Sequence, residues 1–423
     1  MTGRWRLGPA AITGCLLLTL TGCPASEDAP DPTVPPSTGQ ALPGRPTDAS
    51  TDLPAYAGPP PGAPPSAGPL TRLRAAVDLT PATPGVFARA VAAVAAPDGG
   101  AYALLTPADR DLPQSLVTVG ADFSIAGSVP LPRVDDVWGL HVVADGGVAV
   151  TGRLADGYGI EVVEPDTGEV RTTVLAPTAR RTDAESGRSV LSSDARTLYL
   201  FMTVQAGDGT TERLFAVDTV TGQVLDDRDL ADDVDAASQY PVGRQLGGLV
   251  ARPGGGATLV FDASPTAVAE DRIPTLLTYD ARLEPVGQPV RATGLTEEAE
   301  TQSVAGAADG TVFLLVAVRG GSWILGIPDG GGAGPLLAQL QDRIYGYALV
   351  VEPAQVWAVL PAPLGTIPVD LTTGELGRQV TFGCGPKLDV RDIFPAPQGA
   401  LVIGECDTPR EDTQMLWFLG PEG

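Results

Sequence analysis

Residues 189–230 read SVLSSDARTLYLFMTVQAGDGTTERLFAVDTVTGQVLDDRDL, and the stretch divides into four short strands separated by turns. The first strand ends at Ser193-Asp194, and Leu198 to Val204 form the second. Gly207-Asp208-Gly209 turns the chain into a third strand, Arg213 to Val217. Asp218-Thr219-Val220-Thr221-Gly222 then turns it into a fourth, Gln223 to Leu230. Asp holds such turns through its side chain, and Gly supplies the positive φ they need. Four antiparallel strands in about forty residues are the size of one β-propeller blade.

Outward from this unit, the first hairpin recurs as an apolar run, a turn of Asp, Gly or Pro, and a second apolar run. It appears at Ala90–Leu104 around Pro97-Asp98-Gly99-Gly100 and at Leu140–Val150 around Asp145-Gly146-Gly147. It returns at Val190–Phe201 around Asp194, Leu246–Phe261 around Pro253-Gly254-Gly255, and Val304–Val318 around Asp309-Gly310. The last two are Ala348–Leu360 around Glu352-Pro353 and Ile393–Ile403 around Pro397-Gln398-Gly399. The outer hairpin has its own marker at Pro165–Val170, Asp218–Val224 and Asp370–Leu376. These outer turns resemble those of quinoprotein-like and other bacterial propeller repeats. They lack the closing Trp of the quinoprotein pattern, and no Trp-Asp dipeptide of the WD40 type occurs in the chain.

The expected fold is all-β: a seven-bladed β-propeller of four-stranded antiparallel blades over residues 70–423, with six or eight blades left open by the weak turns near 254 and 353. The seventh unit offers three strands, Asp392–Ala396, Ala400–Gly404 and Gln414–Leu419, while Leu70–Thr80 is a strand without a blade. Pairing of these N- and C-terminal strands is therefore expected to close the ring. An open ring would expose sheet edges.

The first residues are an address. Arg4 and Arg6 precede the mostly apolar Leu7 to Leu20, which ends in Leu20-Thr21-Gly22-Cys23. The run is too short for a membrane span and ends at a small-residue cleavage site. The tetrad resembles the lipobox of bacterial lipoproteins. That resemblance implies a signal peptide over 1–22, lipidation of Cys23 with diacylglycerol and palmitate, and anchoring at the extracytoplasmic face of the cell membrane. Ile12-Thr13-Gly14-Cys15 also fits the pattern, but the apolar run before it is too short. From Pro24 to Pro69 the chain carries 14 prolines among Ser, Thr, Gly, Ala and Asp. Such a segment reads as a disordered, extended tether of residues 23–69 reaching on the order of 100 Å.

Mean hydropathy of +0.11 and 43% hydrophobic residues describe a globular chain, and 51 acidic against 27 basic residues give a net charge of −24. That charge repels phosphate backbones, so nucleic acid is not an expected partner. Lys387 is the single lysine; the Arg, Ala, Gly and Pro bias reflects a GC-rich genome. His141 is the single histidine, lies in an inner strand between Leu140 and Val142, and reads as a hydrogen-bonded core or channel residue. One histidine rules out multi-histidine metal sites, and no Gly-x-Ser-x-Gly or His-Glu-x-x-His motif is present. Neither a metal nor a cofactor is expected.

Cys384 precedes the first strand of the seventh unit, and Cys406 follows its second. An extracytoplasmic address makes a disulfide the natural reading of the pair. Gly330–Gly334 reads as a turn and Glu297–Glu300 as a solvated loop. The loops leading into the inner strands collect Arg89, Trp138, Arg188, Arg244, Tyr345, Tyr347 and Arg391 as a candidate binding face, with arginines for an anion and aromatics for a sugar or peptide side chain. Trp323 and Trp417 fall in third strands and read as core. The leading functional expectation is a monomeric binding or scaffolding module of the cell envelope, taking a protein, peptide or glycan. The alternative is a propeller hydrolase or lyase using Asp, Glu and Arg on that face. A quinone-dependent oxidoreductase is disfavoured by the missing Trp positions.

Overall fold

A computed structural model describes residues 72–420, except 85, 178–186, 207–208, 238–244, 264–271, 293–294, 296–298, 319–320, 330–335, 341–356, 363, 371–376, 385–387, 397–398 and 408–411. Seven antiparallel sheets follow one another along the chain. Six have four strands, and the sixth blade has three described strands, Trp357–Ala362, Gly365–Asp370 and Val380–Thr381. The inner strand expected near 348–354 lies outside the described residues, as do Cys23, the tether and the glycine run at 330–334.

The reference stretch folds as read. Its strands are Gly187–Leu191, Thr197–Ala206, Gly209–Asp218 and Val224–Asp229, paired in that order. Asp218 Oδ1 accepts the amides of Val220 and Thr221, and Gly222 has φ +71°. Most first-hairpin turns use glycine for positive φ, as Gly99, Gly146 and Gly310 do, but the third blade places Ala195 there at φ +57°. The Asp194 side chain holds that turn by accepting from Ser192 Oγ and the Arg196 amide.

Middle strands are buried on both faces. Gly157–Val163, Ala257–Ala263, Val312–Val318 and Gly321–Ile327 are buried throughout, which is why they read as mostly apolar runs rather than alternations, with Glu161 and Asp262 buried among them. The core divides into seven clusters, one at each interface between successive blades. Phe313, Leu315 and Ile324 meet Leu360 and Val369 between blades five and six. Val359, Val380 and Phe382 meet Val390, Ile393 and Trp417 between six and seven. Apolar packing therefore runs unbroken around the ring.

The terminal strands close the ring as expected. Arg72–Asp78 pairs antiparallel with Asp412–Gly420, from Arg72 opposite Gly420 to Asp78 opposite Met415. The seventh blade thus runs Leu388–Ala396, Gly399–Asp407, Asp412–Gly420, Arg72–Asp78. Leu79, wholly buried just beyond this strand, donates its amide to the Gln414 carbonyl.

Candidate functional site

Each inner strand begins at the face that also carries the loops between second and third strands; we call this the upper face. Five of the six described inner strands slip register near that end, at Val91, at Asp135 and Trp138, at Gly247, at Gln302 and at Arg391. A bulge leaves one residue out of the ladder and re-aims its side chain, and such features cluster at rims and binding sites. The channel wall is thus irregular at one level, near its upper end.

At the junction of blades seven and one, Arg391 hydrogen-bonds Glu405, while Arg89 lies 4.0 Å from the same carboxylate. Gln414 Nε2 donates to Glu405 Oε1 at 2.7 Å, and Gln414 Oε1 accepts the buried Ala90 amide. Glutamine is useful here because one side chain both donates and accepts. The network fixes Arg391, whose guanidinium is also 3.7 Å from Asp389. Arg89 stays largely exposed, with its guanidinium 5.9 Å from the Phe87 ring centre.

Arg188 stands at the start of the third blade's inner strand, exposed, and donates to the Gly187 carbonyl. It acts electrostatically on Asp392, in the seventh blade across the ring. Burial pushes the Asp392 carboxyl up to about 6, against the opposing pull of the Ile393 amide and Arg188. His141 Nε2 lies 2.7 Å from Ser189 Oγ, which lies 2.7 Å from Thr151 Oγ1. Burial alone holds the imidazole down to about 4, so it is neutral near pH 7, and among the described residues no carboxylate bonds it to orient it as a base. The chain of hydroxyls and imidazole joins blades two and three. A Cβ at Gly139 would stand 2.1 Å from Ser189 Oγ, so that close approach requires glycine.

Between blades one and two the upper face opens into a cleft of about 500 Å³. One wall is the loop through Arg110, Asp111 and Leu112; the other carries Asp135, Asp136 and Arg153. Arg153 is 3.8 Å from Asp135, and its Nε is enclosed without a hydrogen-bond partner among the described residues. Gln114, buried beside the cleft, accepts from Thr106 Oγ1. Leu112 faces solvent in the cleft at 41% exposure, and Phe87, exposed at 45%, accepts through its carbonyl the amide of Ala108, which lines the cleft.

The seven residues expected to form the binding face have different surroundings. Arg89 and Arg188 are exposed on the upper face, and Arg391 is half-buried in its ion pair. Trp138 is half-buried, stacked on Tyr158 with ring centres 5.4 Å apart and backed by the Gly187 backbone. Arg244, Tyr345 and Tyr347 lie outside the described residues. Trp323 and Trp417 are core side chains, as expected. Sequence reasoning missed Phe87, Val91, Arg110 and Leu112, because a residue's letter carries neither its exposure nor its neighbours in space. Cys384 and Cys406 form a disulfide with Cα atoms 5.2 Å apart. Cys406 lies within the second strand of its blade, at Gly399–Asp407, rather than after it.

Among the described residues no three His, Cys, Asp or Glu side chains group as a metal site, and no helix is long and apolar enough to cross a membrane. No family model matches the sequence, and no curated protein is similar to it. Solved structures are similar in fold. A catalytically inactive histidine-to-alanine variant of virginiamycin B lyase from Staphylococcus aureus, with quinupristin, superimposes with a TM-score of 0.51 at 11% identity, over 82% of this chain and 99% of that one. An oligogalacturonate lyase in complex with manganese gives 0.51 at 12% identity, over 82% and 98%. Puromycin hydrolase gives 0.54 at 16% identity, over 84% of this chain and 55% of its own. The chain is a seven-bladed β-propeller whose structural neighbours include lyases and hydrolases. At these identities the likeness is one of fold, and fold alone assigns no chemistry.

Proposed function

We propose that this chain is an exported lipoprotein, held to the membrane through Cys23 and a proline-rich tether, whose propeller binds a ligand on its upper face. The observation that carries the binding reading is an open cleft that presents the exposed Leu112 beside Arg110, an arginine without an ion-pair partner among the described residues, with the exposed Phe87 adjoining it through Ala108. Several cations of this acidic chain are spent on neighbouring carboxylates: Arg133, Arg213, Arg228 and Arg252 are all ion-paired. Arg110 and Arg188 have no such partner among the described residues, and both are exposed on the upper face. Exposed apolar groups beside unspent charge mark an interaction surface.

The rival reading, a hydrolase or lyase, draws on Asp392 and Arg188, a carboxyl raised to about 6 near a cation. Shifted carboxyls collect at catalytic sites, but buried structural ones shift too. Asp262, bonded to Thr301 between blades four and five, is raised to about 6 for the same reason. Binding is therefore the better-supported function.

Two measurements test the proposal. Cys23→Ser is expected to move the protein from the membrane pellet to the soluble extracytoplasmic fraction; retention in the pellet refutes the lipid anchor. A Phe87→Ser/Leu112→Ser chain, immobilised and exposed to envelope extract, is expected to lose the species that the parent retains. Unchanged retention refutes the upper face as the site.

A further inference from the structure

We infer that the cleft between blades one and two takes a short peptide ending in an apolar residue with a free carboxylate. The inference rests on the upper-face binding reading and names the ligand class of that site. Three features of the cleft select this chemistry over a glycan.

A sugar-binding face needs an aromatic ring with a free face to stack on. Among the described residues no aromatic ring lines the cleft, and neither Trp138 nor Phe87 belongs to its walls. Trp138 is stacked on Tyr158 and lies against the Gly187 backbone, while the Arg89 guanidinium stands over Phe87. What the cleft does expose is aliphatic: Leu112 at 41%, with Pro113 and Pro132 on the walls. An aliphatic side chain of a ligand can pack on that part of the lining.

The charges of the lining have both signs. Arg110, exposed and without an ion pair among the described residues, can pair bidentately with a carboxylate. Asp135 and Asp136 on the opposite wall can accept from the backbone amides of an extended peptide. A purely anionic ligand would be repelled by those carboxylates and by Asp111; a peptide terminus presents its one negative charge to Arg110 and its N–H groups to the acids. The cleft's volume of about 500 Å³ lies within the usual range for small-ligand sites.

The test uses the full chain, purified with its anchor in detergent. The probes are two photo-crosslinkable tetrapeptides of identical sequence ending in leucine, one with a free carboxylate and one amidated, with crosslinked positions read by mass spectrometry. The free acid is expected to label residues 107–113 and 132–136, with amidation or Arg110→Ala each reducing labelling about ten-fold. Arg110→Ala removes an exposed side chain and leaves the fold intact, and Leu112→Ser, exposed likewise, is expected to weaken both probes alike. Equal labelling by acid and amide overturns the carboxylate assignment while leaving upper-face binding standing. No labelling of the cleft by either probe overturns the peptide class. Should Phe87→Ser/Leu112→Ser also retain the envelope species unchanged, the upper-face reading falls separately.

Discussion

Reducing the Cys384–Cys406 disulfide should lower the melting temperature by about 4–5 °C, and the figure can be worked from the structure. The bond spans 22 residues. Chain entropy for a loop of that size amounts to about 11 cal/mol/K, or about 3 kcal/mol at 25 °C. At about 2.1 cal/mol/K per residue, unfolding about 350 residues carries an entropy of about 0.7 kcal/mol/K, which converts the loss into the stated shift. Reduction is a cleaner perturbation than mutation. Cys406 belongs to the core cluster with Trp417 and Val359, so Cys406→Ala would add a packing loss of its own. Reduction leaves both sulfur atoms in place. The bond also lies in the blade that joins the chain termini, so its loss should loosen the closing sheet first. The assay is calorimetry with and without reductant, with thiol release confirmed by mass. Two free thiols with a shift below about 1 °C would refute the entropic account. So would a shift confined to the double alanine variant, which would assign the stabilisation to packing.

Two further predictions concern buried polar groups. Asp262 is raised to about 6 in the folded chain, first by burial, against about 3.9 unfolded; the folded state then holds more protons between these values, and stability falls as pH rises from about 4 to about 6. Asp262→Asn should flatten that slope by an amount on the order of 1–3 kcal/mol, and a parent stability that rises across the window relative to the variant contradicts the assignment. Gly139→Ala should cost about 2 kcal/mol by forcing Ser189 Oγ away from His141, and Ser189→Gly in the same chain should recover part of the loss. A double-mutant cycle by denaturant unfolding checks this, and additive costs would show that the two positions do not meet.

Much of the ring was legible in the sequence because its determinants are local. A turn such as Asp218–Gly222 sets hairpin register over a few residues, and middle strands buried on both sides read as apolar runs. The closing strand was legible by arithmetic: three strands remained at one end and one at the other, and the pairing of Val77 with Leu416 is the outcome. The candidate site was far less legible. A bulge at Val91 or Arg391 adds one residue to a strand with no compositional mark. Trp138 read as a platform because nothing in its own segment announces Tyr158, twenty residues on, or the side-chain-free Gly187 beyond that. The cleft joins a loop at 107–113 to a strand start at 132–136, and only the curvature of the ring sets the gap between them.

This division of labour has a consequence for where binding can evolve on such a chain. The seven core clusters are each shared by two blades, so a core substitution disturbs two sheets and is costly. The loops of the upper face carry no such load: Arg110 and Leu112 touch solvent, and the strands on either side hold their positions. In an acidic protein with a single lysine, many arginines are paired with carboxylates, as Arg391 is with Glu405 and Arg153 with Asp135. Arg110, exposed beside an open cleft and without an ion pair among the described residues, is the position where such a charge has room for a ligand.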